Sequence, residues 1–332
     1  MSTPGRAFIT GISGQDGSYL AERLLEEGVE VHALAHELEP LPDLPGVELH
    51  RGDLTDIDRV RALLLDLAPE EVYNLAAISS VARSWEEPDL TAQVNGLAAG
   101  GLLESARQVQ DKHDRQVRFV QASSAEIFGD PDRSPQDEST AVRPVNPYGA
   151  AKAFAHLLVD VYRRRGLHAV SAILYNHESP RRPTQFVTRK ITSTVAAIVH
   201  GDAETLTLGN LDARRDWGWA PDYVDALVRA ARADQACDYV VATGVAHSVR
   251  DFVAAAFGRT GITDWKPLVS VDPGLVRPAD PTELVGDPTL ARERLGWSPS
   301  VGFDELVGRM VDADLARLNR PAGSSGSGRT RS

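Results

Sequence analysis

The first half of the chain alternates short β-branched runs with longer stretches in which apolar residues recur every third or fourth position. The short runs predict strands over Arg6–Thr10, Glu30–Leu34, Glu48–Arg51, Glu71–Leu75, Arg118–Gln121 and Ala169–Leu174. The helical spacing between them is clearest over Gly17–Glu27 and Asp56–Leu67. Strand–helix alternation of this kind builds a parallel sheet with helices on both faces. The expected fold class is therefore α/β, a Rossmann-type doubly wound parallel sheet, with its ligands beyond the carboxyl ends of the strands.

After Leu174 the texture changes. Prolines and arginines cluster through Ser179–Thr184, a helix is predicted over Val187–His200, and a mixed region runs from Val245 to about Leu318. These segments predict a smaller, discontinuous α/β substrate-binding domain. The expected division is residues 1–175 plus about 216–245 for a dinucleotide-binding domain, with Asp222–Asp234 returning to it. The second domain takes about 176–215 plus 246–318. The tail 321–332 is rich in Gly, Ser and Arg and is expected to be disordered.

Composition narrows the partners. The 332 residues are 42% hydrophobic and 25% charged, close to globular averages. The net charge of −12 gives no basic footprint for nucleic acid or an anionic membrane. A single cysteine, Cys237, excludes an intramolecular disulfide. No apolar run is long enough to cross a bilayer, and the opening run Ala7–Ile9 leads straight into glycines, so a cytoplasmic protein is expected.

Gly11, Gly14 and Gly17 follow a predicted strand and open a predicted helix. Such a turn lets backbone approach a pyrophosphate, and the helix start offers it free N–H groups. Asp53 and Leu54 close the third strand, where a carboxylate can accept from an adenine amino group. Leu75, Ala76 and Ala77, ending the fourth, are small enough for a cofactor to lie against backbone. Cofactor binding is the expectation.

Tyr148 and Lys152 are one helical turn apart in N-P-Y-G-A-A-K and share a face. An ammonium beside a phenol favours the phenolate, which predicts a usable base. Ser123, Ser124, Ala125 and Glu126 end the fifth strand, on the edge where this fold carries out chemistry.

These residues resemble the extended short-chain dehydrogenase/reductases and, within them, the GDP-mannose 4,6-dehydratase family, from about Ala7 to Pro299. The motifs are Thr10–Glu22, Ser123–Gly129, Asn146–Lys152, Asn176–Arg182 (N-H-E-S-P-R-R), Phe186–Ile191 (F-V-T-R-K-I) and Gly209–Gly218 (G-N-L-D-A-R-R-D-W-G). The resemblance implies an NAD(P)-dependent hydro-lyase. Tyr148 would deprotonate the sugar 4-hydroxyl, Lys152 would hold the phenolate and ribose, and Ser124, where the family usually has threonine, would bind the C4 oxygen. Glu126 would take the C5 proton and help the C6 hydroxyl leave. It further implies cofactor contacts from Ser13, Gln15, Asp16, His177 and Arg182. Ser79, Asn176, Val187, Lys190, Gly209, Asn210, Arg215 and Arg277 would contact a GDP-sugar, with Lys190 reading the guanine. Arg189 and Arg214 belong to the same basic group, able to bind pyrophosphate or to pair with surface carboxylates, and for Arg214 the ligand-binding reading is favoured.

Three departures from the family stand out. Ala35, His36 and Glu37 replace an arginine pair that holds the 2′-phosphate of NADP and helps build tetramers, and nothing obviously cationic replaces it. NADP and NAD both stay open, and a homodimer is expected. Ile78 and Ser80 replace Gln and His, and Trp219 replaces a His, near the expected sugar site. The same dehydration on another nucleotide sugar such as a GDP-heptose, an epimerase or reductase, and a non-catalytic NAD(P)-binding regulator are the competing readings.

Overall fold

The computed structural model describes residues 5–37, 43–275 and 283–319. The centre is formed by β1 (Arg6–Thr10), β2 (Glu30–Ala35), β4 (Glu71–Asn74), β5 (Arg118–Ser124) and β6 (His168–Leu174), strands buried on both faces, with the more exposed β3 (Val47–Arg51) at the edge. All six predicted strands form, with β5 running three residues beyond its predicted end. With β10 (Asp238–Val241) they make a seven-stranded sheet in the order β10-β6-β5-β4-β1-β2-β3, every pairing parallel. The order reverses between β1 and β4, the switch point where such sheets open a crevice.

Helices cover both faces because parallel strands need crossovers. One core packs Leu20, Ala21 and Leu24 of α1 (Gln15–Glu26) and Val224, Leu227 and Val228 of α8 (Ala220–Ala231) on the sheet. The other packs Val60 and Leu64 of α2 (Ile57–Leu67) with Leu102, Leu103 and Ala106 of α5 (Ala98–His113). Short helices α3 (Val81–Glu86) and α4 (Pro88–Ala92) precede α5, joined to it by a π-helical turn at Gln93–Leu97. The helix α6 (Pro147–Arg164) starts at Pro147, whose missing N–H costs nothing there, and Asn146 caps it.

The second core gathers around α7 (Val187–His200), α9 (Val249–Arg259) and α11 (Phe303–Leu318). Its strands are short: β7 (Asn176–Glu178), β8 (Leu206–Leu208), β9 (Arg214–Trp219), β11 (Ala246–Ser248), β12 (Val269–Val271) and β13 (Glu283–Leu284). β9 is central, flanked by β11, β13 and β7, while β8 pairs with β12. Residues 216–219, grouped on sequence with the first domain, lie in β9; Trp217 packs edge-on against Phe252 and stacks with Phe303 in the second core. The chain returns to the large sheet with α8, and α10 (Thr289–Leu295) then packs beside it.

Arg189 on α7, expected among the groups available to an anionic ligand, is instead buried and paired with Asp314 of α11 at 2.5 Å. It fastens two core helices. Among the described residues no helix is long and apolar enough to cross a membrane. The expected disordered tail, 321–332, lies outside the described residues.

Candidate active site

A cleft of about 290 Å³ opens where the carboxyl ends of β4, β5 and β6 face the second core. The glycine turn borders it through Asp16. Gly11 has φ +77°, and a Cβ there would lie 2.7 Å from the Ala76 nitrogen. A Cβ on Gly17 would lie 2.2 Å from the Gly11 carbonyl oxygen. No other residue fits either position, so the turn packs backbone to backbone against the end of β4.

A line of side chains ties this edge together. Thr10 Oγ1 accepts from the Leu75 and Ala76 amides, each at 3.1 Å, and donates to Asn74 Oδ1 at 2.7 Å. Asn74 Nδ2 donates to Gln121 Oε1 at 2.8 Å, and Gln121 Nε2 donates to the Ala122 carbonyl at 3.0 Å. Lys152 Nζ donates to that same carbonyl at 2.8 Å.

α6 presents Tyr148 and Lys152 to the cleft, and Ser124 and Glu126 enter it from the end of β5. Asn146 does two things at once. Its Oδ1 accepts from the Gly149 amide at 2.7 Å, and its Nδ2 donates to Glu126 Oε2 at 2.8 Å. Gly149 is needed for this approach, since a Cβ there would sit 2.5 Å from the Glu126 carbonyl oxygen. Ser124 Oγ accepts from the Glu126 amide at 3.2 Å.

Burial pushes the Tyr148 phenol up to about 12, partly opposed by hydrogen bonding with Ser124. Burial also pushes the Lys152 ammonium down to about 8. The lysine Nζ lies 5.9 Å from the Tyr148 ring centroid. The expected lowering of the phenol by Lys152 does not show in the protein alone; desolvation disfavours both charged forms.

Behind the glycine turn, His177 Nε2 donates to Asp16 Oδ2 at 2.8 Å and Nδ1 donates to the Tyr175 carbonyl at 2.7 Å. Two acceptors require the doubly protonated ring. Burial alone would lower His177, but the Asp16 carboxylate and both hydrogen bonds raise it. Burial likewise opposes the Asp16 anion, yet His177, Gln15 and Arg182 hold its carboxyl below the usual range. The Arg182 guanidinium lies 3.8 Å over the Phe186 ring, with its Nε 3.4 Å from Glu178.

Of the residues singled out from sequence, Asp16, Leu75, Ala77, Ser79, Ser124, Glu126, Tyr148, Lys152, Asn176, His177, Arg182, Val187, Gly209, Asn210 and Arg215 line the cleft. Gly11, Ser13, Gly14, Gln15, Gly17 and Ala76 form the turn and strand end beneath it, and Lys190 stands on α7 outside the lining. Arg277 lies outside the described residues. Arg214 pairs with Glu283 at 2.8 Å and donates to the Ala246 carbonyl. Asp53 is turned inward on its own loop, accepting from the Thr55 amide and hydroxyl, and Asp56 caps α2. Leu54 is buried in the core beside α2.

Ile78, Ser80 and Trp219 do not line the cleft. The backbone of Ile78 is clasped by Asn95, Ser80 caps α3, and Trp219 lies under Arg309. Sequence reasoning passed over Trp217, Phe186, Thr188, Leu208 and Leu275, which do line it. Two of these, Trp217 and Phe186, are large aromatics inside motifs already singled out. The strand end that lacks the arginine pair is not without cations. Arg59 pairs with Glu37 at 3.2 Å, and Arg51 donates to the His36 and Glu37 carbonyls.

Two observations fit a dinucleotide. The glycine cradle leaves no room for side chains, as close approach of a pyrophosphate requires. Ser123 Oγ and Arg182 Nε, both on residues lining the cleft, are buried without a hydrogen-bond partner in the protein.

The comparisons with known proteins agree with this geometry. The profile of the GDP-mannose 4,6 dehydratase family matches residues 8–310. GDP-mannose 4,6 dehydratase 1 of Arabidopsis thaliana is 44% identical, covering 95% of this chain and 91% of its own. The Homo sapiens GDP-mannose 4,6 dehydratase is 43% identical over 93% of this chain and 91% of its own. Among solved structures, the Thermus thermophilus UDP-glucose 4-epimerase complexed with NAD superposes with TM-score 0.81 at 30% identity, covering 93% of this chain and 98% of that one. The Thermotoga maritima UDP-glucose 4-epimerase, at 24% identity and TM-score 0.84 over 94% of this chain and 99% of that one, shares the fold. Profile, relatives and site geometry converge, and the chain belongs to the GDP-mannose 4,6-dehydratase family.

Proposed function

We propose that the protein is an NAD(P)-dependent hydro-lyase that converts GDP-mannose to GDP-4-keto-6-deoxymannose. The observation that carries this is Glu126, a carboxylate held by Asn146 in the cleft that also holds Ser124, Tyr148 and Lys152. An epimerase that returns hydride to C4 needs no such group; an elimination across C5 and C6 does.

The glycine turn, the start of α1 and the end of β4 would hold the dinucleotide. A bound nicotinamide would supply a two-electron store for the hydride that leaves C4 and returns to C6, and the positive charge of its oxidised form. Tyr148 accepts the 4-hydroxyl proton once that charge offsets the burial penalty on its phenolate. Lys152, tethered to the Ala122 carbonyl, positions the phenol and the ribose. Ser124 steadies the C4 oxygen. With a ketone at C4 the C5 proton is acidic; Glu126 removes it and delivers it to the departing C6 hydroxyl, which leaves as water, and as C6 regains hydride the proton held by Tyr148 passes to C5. The sugar and diphosphate would run toward Arg215, Asn210 and Asn176, polar groups on the second-core side of the cleft. The same arrangement supports a discontinuous substrate-binding domain, with its boundary between Trp219 and Ala220.

A homodimer is supported by the outer face of α6. Phe154, Leu157 and Val161 are 45%, 57% and 49% exposed at helical spacing, and Leu97 nearby is 60% exposed. The cytoplasm suits a protein whose single cysteine, Cys237, is a free thiol.

The test is incubation of purified protein with GDP-mannose and NAD⁺ or NADP⁺, followed by mass spectrometry for loss of one water. Tyr148→Phe and Glu126→Gln should each abolish the product while circular dichroism is unchanged. Near-wild-type turnover in either variant refutes the assigned roles.

A further inference from the structure

At the edge of the large sheet, away from the cleft lining, three potential metal ligands meet. β2 and β3 pair so that His32 lies beside Glu48, and His50, two residues further along β3, shares that face. His32 Nδ1 and His50 Nε2 face each other at 3.0 Å. The Glu48 oxygens stand 3.7 Å from His32 Nδ1 and 3.9 Å from His50 Nε2. One donor atom from each of the three residues lies within 4.8 Å of the others.

We propose that His32, His50 and Glu48 bind a divalent transition-metal ion of the zinc class. Two imidazoles and one carboxylate are a borderline-soft set suited to Zn²⁺ or Co²⁺. Metal–nitrogen bonds of about 2.0–2.1 Å at right to tetrahedral angles separate two nitrogens by about 2.9–3.4 Å, which brackets the observed spacing.

A second observation selects the tautomer. His32 is 2% exposed, and its Nε2 lies 2.8 Å from Glu30 Oε1. The proton therefore sits on Nε2, and the Nδ1 lone pair points at His50. A carboxylate behind a histidine in this way orients metal-ligating imidazoles and raises their basicity. The other Glu30 oxygen accepts from Arg6 at 3.0 Å, so the carboxylate is itself fixed. The Glu48 side chain is 65% exposed, which gives an ion a path in and leaves a coordination position for water. Bound there, the ion would staple edge strand β3 to β2.

The experiment titrates the chelator-treated full chain with Zn²⁺ by calorimetry and with Co²⁺ by visible absorption. The expected result is one saturable ion per chain, ligand-field bands from Co²⁺ in a nitrogen–oxygen site, and a Zn²⁺-dependent rise in melting temperature. His50→Gln should abolish all three, and exposed Glu48→Gln should weaken binding, with the melting temperature of each metal-free variant checking its fold. Glu30→Gln, which keeps every ligand, should weaken binding by about ten- to a hundredfold. No saturable binding overturns the proposal and leaves the histidines as a hydrogen-bonded pair. Stoichiometric binding that survives both His50→Gln and Glu48→Gln places the ion elsewhere and overturns it equally.

Discussion

Asn146 offers a way to separate folding from chemistry in one side chain. Its Oδ1 caps α6 at the Gly149 amide, and its Nδ2 holds Glu126 Oε2 at 2.8 Å. Asn146→Asp keeps a good cap, since Asp and Asn rank alike at that position, but removes the donor and sets a second anion against Glu126. Asn146→Ala removes both functions. A lost cap costs about 1 kcal/mol, and a lost hydrogen bond to a charged group about 1.5–3 kcal/mol. The Ala variant should therefore unfold at lower urea by about 1 kcal/mol, while Asp stays near wild type. In both, dehydration should slow by roughly ten- to a hundredfold, the rate equivalent of the lost contact. Quenched-flow mass spectrometry reads loss of water, and absorbance of the reduced nicotinamide reads C4 oxidation. Oxidation should be nearly preserved, so reduced cofactor accumulates before product. An Asp variant that dehydrates at the wild-type rate, or one that loses oxidation and elimination in equal measure, refutes the assignment of Asn146 to Glu126.

Three further outcomes are expected. Arg189→Ala leaves Asp314 buried without its main partner; breaking a buried pair costs about 3–5 kcal/mol, and Arg317 at 3.1 Å should hold the loss near the lower end, measurable as a urea midpoint shift. The Asp16–His177 pair should make stability pH-dependent. His177 is raised above 6.5 in the folded state, so its contribution is full below pH 6.5 and fades as pH rises through the folded value. Asp16 is depressed below 3.8, so its contribution is present above pH 3.8 and fades as pH falls further. The stability gap between wild type and Asp16→Asn should be widest between these limits and shrink under alkaline conditions; a gap that stays flat to high pH contradicts the pairing. Finally, Glu37 occupies Arg59 at the end of β2, so NAD⁺ should bind more tightly than NADP⁺. Glu37→Gln, by releasing Arg59, should improve NADP⁺ affinity by about tenfold, one charged contact of about 1.4 kcal/mol. Tighter NADP⁺ binding by the unmodified protein, read by calorimetry, would contradict this.

The large sheet was legible because each of its early strands is a compact apolar run followed by a helix with its own periodicity. Helix α7 matched its predicted limits, Val187–His200. The part of the chain around the second core was legible only in outline. Its strands have two to six residues, too few for alternation to stand out, and β9 draws partners from β7, β11 and β13, far apart in the chain. Residues 216–219, grouped on sequence with the first domain for this reason, lie in β9. Local motifs pointed to Tyr148, Lys152 and Glu126, but charge alone left two readings of Arg189, whose partner is 125 residues away. The Arg51 and Arg59 cations near Glu37 were hidden for the same reason: one is on the next strand and the other on the helix after it. Asn146 sat inside a recognised motif, yet its hold on Glu126 depends on how the loop after β5 folds against the start of α6.

The line from Thr10 through Asn74 and Gln121 to the Ala122 carbonyl, shared with Lys152, joins β1, β4, β5 and α6 by side chains as well as by the backbone ladder. Shear between these strands would have to break both sets of bonds together. The amides of Leu75 and Ala76, held by Thr10, should therefore exchange with solvent only through near-global unfolding. Any breathing that admits substrate is then displaced to the passages between the two cores, at 175–176, 219–220 and 242–245. On the function proposed above, the rigid half would carry the hydride chemistry, and compliance would be left to the half that meets the nucleotide sugar.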